Sequence, residues 1–118
     1  MKFGIIGKSC TKKDKEAIQK VILALPKESM IITTGTKGGF ESFVREKANE
    51  NSIPVMSFVK YRPPDDAWPR EFEQATTRRN KRIIAEADTI YTFSDDEETL
   101  ALSELATISG VNVKKVSI

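Results

Sequence analysis

The sequence predicts an α/β protein, a three-layer sandwich built on a five-stranded parallel sheet in the order 3-2-1-4-5. Three observations carry this reading. Short apolar, β-branched runs alternate along the chain with longer segments whose apolar residues recur at helical spacing, and the connections between them are short. The run Met30-Ile31-Ile32-Thr33-Thr34 stops at Gly35 and passes through Gly38 and Gly39 into Phe40, Phe43, Val44 and Ala48, so a buried strand turns through glycines directly into a helix. Pro54, near the start of the third strand-like run, lacks the N–H that a central strand needs, which puts that strand at a sheet edge. Right-handed crossovers then place the reversal of strand order between strands one and four.

Taken in order, Lys2 to Ile6 read as the first strand and Gly7 to Thr11 as the loop leaving it. Thr11 with Asp14 three positions on forms a capping box, aspartate replacing the usual glutamate or glutamine. Ala17, Ile18, Val21, Ile22 and Leu25 mark the inner face of helix one, and Pro26 ends it. Lys12, Lys13, Lys15 and Lys20 form its solvent face. Strand two and its glycine turn lead into helix two, which runs to about Asn51. Strand three is expected over Ile53 to Val59.

Lys60 to Glu71 contains three prolines and two aspartates and forms no regular element. Helix three is expected from Arg70 or Glu71 to Ala87, with an interruption near Thr76-Thr77. Strand four covers Asp88 to Phe93. Ser94 to Thr99 opens helix four, whose inner side is expected to be Leu100, Leu102, Leu105, Ala106 and Ile108. Gly110 stops that helix, and Val111 to Val116 is strand five.

Length and composition bound the function. The 118 residues make one domain, 1–118, large enough for a core without covalent staples. With 39% hydrophobic and 31% charged residues the composition is that of a folded globular protein. The single Cys10 forms no internal disulfide. With no histidine, a metal site would need carboxylates to do most of the work, and Ser-His-acid or Cys-His catalysis within one subunit is excluded. A net charge of +2 shows none of the basic excess of a nucleic-acid binder. Neither a signal peptide nor a membrane span fits the sequence, so the expected setting is the cytoplasm.

In a sheet of this order ligands bind beyond the C-terminal strand ends, at the reversal. The loops that meet there are Gly7 to Thr11, Gly35 to Gly39 and Ser94 to Thr99. A glycine turn opening a helix offers backbone N–H groups and the positive helix end to an anion, although such turns also join strands to helices for shape alone. Gly35-Thr36-Lys37-Gly38-Gly39 is not a P-loop, because its lysine precedes both later glycines and no hydroxyl residue follows. The dinucleotide fingerprint also fails at Gly7, which is followed by Lys8-Ser9-Cys10. In the irregular stretch, Tyr61, Arg62 and Trp68 offer aromatic and cationic groups that would cover a bound base, or, for Trp68, fold back on the domain's own core.

Four pieces in this order resemble the YspA-type branch of the SLOG superfamily: Gly7 with Ser9 after the first strand, Gly35 through Glu41, Ile53 to Val55, and Arg79-Asn80 through Ala87-Asp88. The resemblance covers almost the whole chain. SLOG domains are Rossmann-like and are related more distantly to DprA and to the LOG phosphoribohydrolases. The resemblance implies a nucleotide pocket bordered by Gly7 and Ser9. Gly35, Thr36, Gly38 and Gly39 would give close backbone approach, Glu41 would be the branch's acidic residue, and Arg79 and Asn80 would reach the cleft from helix three. Arg79 suits a phosphate. Asn80 either bonds ribose or braces a loop.

The departure from the family comes after strand four, where relatives carry a glycine-rich turn. Here Ser94-Asp95-Asp96-Glu97-Glu98-Thr99 keeps only Thr99, and its carboxylates repel a phosphate unless Mg²⁺, lysine or arginine intervenes. The leading expectation is therefore a small nucleotide-binding protein of SLOG type. A second is a hydrolase or glycosidase acting on a nucleotide, with Glu41 or Glu98 as the catalytic carboxylate and Ser9 and Asn80 holding the sugar. A third is an interaction module with a degenerate pocket, presenting Tyr61 and Trp68 to a partner. Binding of DNA through Arg78, Arg79, Lys81 and Arg82 ranks last, since helical spacing spreads them over more than one face. Family analogy also points to a homo-oligomer.

Overall fold

A computed structural model describes residues 1–116, so residues 117 and 118 of the expected domain lie outside the described part. The strands are β1 (Lys2–Ile6), β2 (Met30–Thr33), β3 (Val55–Ser57), β4 (Thr89–Thr92) and β5 (Asn112–Lys115). The helices are α1 (Lys12–Leu23), α2 (Gly39–Glu50), α3 (Pro69–Glu86) and α4 (Glu97–Ile108). All pairings are parallel and the order is β3-β2-β1-β4-β5, as expected.

Alternation along the strands sorts the core into two layers. Ile5 and Ile31 pack with Ile18 and Ile22 of α1 and with Phe40, Val44 and Ala48 of α2. The next residues along, Ile6 and Ile32, point to the opposite face and pack with Ile90, with Ile83 of α3, and with Leu102 and Ala106 of α4. Central strands buried on both faces must read as continuous apolar runs, and Gly4-Ile5-Ile6 and Ile31-Ile32 do.

Several boundaries differ from the sequence expectation, each for a local reason. β3 is shorter than Ile53 to Val59 because Ser52 takes a left-handed conformation (φ 55) and the Ile53 N–H is used to close α2, donating to the Ala48 carbonyl at 2.8 Å. α3 runs without interruption, since the Thr76 and Thr77 hydroxyls donate to the Phe72 and Glu73 carbonyls one turn back (3.2 and 3.0 Å) and leave the helix ladder intact. The inner face expected for α4 needs correction. Leu100 is 46% exposed and Ile108 83% exposed, and the buried stripe is Thr99, Leu102 and Ala106. Residues two apart on a helix lie about 200° around its axis, so Leu100 and Leu102 cannot share a face. Among the described residues no helix is long and apolar enough to cross a membrane.

The capping box at α1 anchors the first loop. The Asp14 carboxylate, buried at 3% exposure, accepts bonds from the Ser9 hydroxyl (2.9 Å) and from the Thr11 N–H and hydroxyl (2.8 Å each). Burial works to raise its pKa, but these bonds together outweigh burial and hold it below the usual carboxylate value. With the folded pKa below the unfolded one, ionised Asp14 contributes stability that is fully present above the unfolded value of about 3.9 and is lost as pH falls through the lowered folded value. Asp14→Ala is therefore expected to cost about 1–3 kcal/mol at neutral pH. Urea denaturation of the variant should also depend less on acid than the parent's; an equal acid dependence would show that Asp14 makes no such contribution.

Candidate functional site

The C-terminal ends of β1, β2 and β4 open onto two adjoining cavities. The larger, about 450 Å³, is walled by Thr34, Gly35 and Thr36 after β2, by Val59 to Pro63 from the β3–α3 connection, and by Phe72, Ala75 and Thr76 of α3. The smaller, about 80 Å³, lies between Ile6-Gly7-Lys8 and the start of α4 at Asp96, Glu98 and Thr99. Thr34, Thr36, Arg79 and Glu98 line both.

Arg79 is the central residue. The buried side of α3 follows a four-residue step, Ala75, Arg79, Ile83, so the guanidinium occupies a position that the helix otherwise gives to apolar side chains. It is 3% exposed. Its Nε donates to Asn80 Oδ1 at 2.9 Å, while Nη1 is buried with no hydrogen-bond partner among the described residues. Burial pushes its pKa down from the usual arginine value, and the negative charge of Glu98 works against that shift. Asn80, equally buried, holds Arg79 and lines neither cavity. A buried charged donor without an acceptor is costly, and a water, an ion or a ligand oxygen would relieve that cost.

Three of the four carboxylates in the acidic turn are engaged by their surroundings, two of them in ion pairs. Asp96 is the N-cap of α4, accepting from the Thr99 N–H (3.2 Å), the Thr99 hydroxyl (2.7 Å) and the Ser94 hydroxyl. Burial acts to raise its pKa, and these bonds outweigh burial and lower it. Asp95 pairs with Lys115 at 2.7 Å. Glu98 pairs with Lys60 of the β3–α3 connection. The Lys60 hydrogen bond is the largest influence on the Glu98 carboxyl and lowers its pKa. Burial opposes this, the charges of Lys60 and Arg79 reinforce it, and Asp96 works against it. Among the described residues no three acidic or cysteine side chains converge as metal ligands.

Gly35 is a glycine for two reasons. Its φ is +68, and a Cβ there would lie 2.8 Å from Val59 Cγ2, where β2 and the β3–α3 connection close on each other to form the cavity wall.

Of the residues that the sequence singled out, Gly7, Gly35, Thr36, Tyr61, Arg62, Arg79, Glu98 and Thr99 meet at these cavities. The others stand elsewhere. Glu41 accepts from the Thr33 hydroxyl (2.8 Å), the Ser57 hydroxyl (3.1 Å) and Arg45 Nε (3.0 Å), tying α2 to the ends of β2 and β3, and lines neither cavity. Ser9 is turned to Asp14. Gly38 and Gly39 begin α2 away from both cavities, with Gly39 against Cys10. Trp68 caps α3 at 73% exposure and neither covers the cleft nor folds back on the core. Sequence reasoning passed over Phe72 and Lys60. The helical spacing Phe72, Thr76, Arg79 was a signal for the first, whereas nothing local marked Lys60 as the partner of Glu98.

The fold is similar to that in the X-ray structure of TM1055, a Northeast Structural Genomics Consortium target, with a TM-score of 0.61 and 16% identity over 96% of this chain and 72% of that one. The likeness supports a Rossmann-like α/β fold. No protein-family model matches the chain, and no curated protein does.

Proposed function

We propose that this domain binds a nucleotide or nucleotide derivative, with a phosphate at Arg79 and the base in the larger cavity beside Tyr61 and Phe72. The observation that carries this is the buried Arg79 Nη1, which has no hydrogen-bond partner among the described residues and belongs to a side chain lining both cavities. A planar guanidinium suits phosphate oxygens. Val59, Tyr61, Pro63, Phe72 and Ala75 give the larger cavity the apolar and aromatic lining that a base requires. The motif run from Gly7 to Asp88 supports placing the domain in the YspA-type branch of the SLOG superfamily, and the structural neighbour supports the Rossmann-like fold alone.

Titration calorimetry with AMP, ADP and ADP-ribose is expected to show saturable binding, with native mass spectrometry identifying any nucleotide retained from the cell. No heat with any of the three at about 1 mM, together with an empty protein in the mass spectrum, would sink the reading.

A second reading, cleavage of an N-glycosidic or phosphate-linked bond in that nucleotide, is favoured by one observation: the Glu98 carboxylate lines both cavities with Arg79 beside it. An ionised carboxylate there would stabilise an oxocarbenium-like centre. Glu41, committed to Thr33, Ser57 and Arg45, does not join it, so this reading rests on Glu98 alone. Turnover that survives Glu98→Gln unchanged would remove Glu98 from the mechanism.

A further inference from the structure

The cleft contains a second cation that the protein itself occupies. Lys60 lines the larger cavity together with Arg79 and Glu98, and its ammonium is bound to the Glu98 carboxylate. Three charged groups act on Glu98: Lys60 from the β3–α3 connection, Arg79 from α3 and Asp96 from the α4 cap, while Lys8 lines the smaller cavity with them. An oxyanion on Arg79 Nη1 would add negative charge beside that carboxylate, and the repulsion has one economical relief: the lysine moves from the carboxylate to the anion. The pair is partly exposed on both sides, with side-chain exposures of 34% and 47%, so it contributes little stability and little is lost by giving it up. Lysine carries its charge on a flexible four-carbon stem with three donors, which suits exchange between acceptors; Asp96 has no such freedom, because its oxygens are spent on the α4 cap.

We propose that Lys60 is a second anion-binding residue of the cleft, held by Glu98 until a phosphate-bearing ligand takes it over. Phosphate binding at Arg79 thereby frees the Glu98 carboxylate inside the cavity, where it is available to a sugar hydroxyl of the ligand. This rests on the nucleotide reading for the ligand but not for the exchange, which inorganic phosphate also drives.

The test uses inorganic phosphate, AMP and adenosine as probes against the full chain and three variants. Lys60→Met is expected to weaken phosphate and AMP about tenfold and leave adenosine unchanged, Lys60→Arg to restore most of the loss, and Glu98→Gln to tighten phosphate about tenfold. NMR titration of the Glu98 side-chain carboxyl supplies a readout that a merely structural role would not move. Saturating phosphate should raise its pKa more in the parent than in Lys60→Met, because only the parent has a lysine to lose. Phosphate affinity in Lys60→Met within twofold of the parent's, or an equal rise of the Glu98 pKa in both, overturns the exchange while AMP binding leaves the nucleotide reading standing. The converse, phosphate behaving as described while AMP binds no better than phosphate, overturns the nucleotide reading and leaves the exchange intact.

Discussion

Arg79→Met is expected to weaken AMP and inorganic phosphate by about 100-fold while leaving the folded domain as stable as the parent or slightly more so. The two effects have one cause. The guanidinium is buried and its Nη1 has no partner among the described residues, so the free protein bears the cost of an incompletely satisfied charge. Truncating one side of a buried, hydrogen-bonded charge pair costs about 2–5 kcal/mol of binding, and each 1.4 kcal/mol is tenfold. Replacing an incompletely paired buried charge by an apolar side chain of similar length is often neutral or stabilising. The gain is limited here, because Asn80 Oδ1 loses the Nε–H that it accepts at 2.9 Å. Calorimetry and thermal denaturation of the same preparation check both halves. A fall in Tm of more than roughly 5 °C with anion affinity unchanged would show that Arg79 is an internal brace.

The largest stability effect is expected where the first loop meets the second helix. Phe40, in the first turn of α2, is 5% exposed and packs on Phe93, the residue just after β4, with ring centroids 5.8 Å apart. Phe40→Ala should cost about 3–5 kcal/mol. Gly7 lies under that ring: a Cβ there would fall 2.7 Å from Phe40 Cε2 and 3.1 Å from Phe93 Cβ. Gly7→Ala is therefore overpacked and should cost about 1–3 kcal/mol. Because the clash is with the ring rather than with backbone, Phe40→Leu should relieve part of it, giving the double variant less destabilisation than the sum of the singles. Strict additivity in urea denaturation would show that the two positions do not meet. The contact matters to the site because Gly7 also borders the smaller cavity, so the packing of two aromatic rings sets where the β1–α1 loop stands beside Arg79 and Glu98.

Much of this architecture was legible in the chain. Pro54 cannot donate to a ladder from a central strand, and β3 is indeed the edge next to β2. Thr11 and Asp14 form the capping box that their spacing announced, because a cap is made within one turn of the chain. Arg79 was named by the family resemblance, whereas its place in the buried stripe of α3, between Ala75 and Ile83, came only from the packing. What the sequence did not supply was the direction of side chains. Ser9 and Glu41 have the chemistry of ligand contacts, but Asp14, Thr33, Ser57 and Arg45 stand close enough to claim them.

Local chemistry was thus sufficient for the elements, their order in the sheet and the end of the sheet at which the cleft opens, since periodicity, caps and a proline act over a few residues. Packing chose which glycines wall the cavity, which phase of α4 turns inward, and which carboxylate faces Arg79. Those choices join residues such as Lys60 and Glu98, far apart in sequence, and they follow from how helices and loops fit against two faces of one sheet, which no stretch of the chain specifies alone.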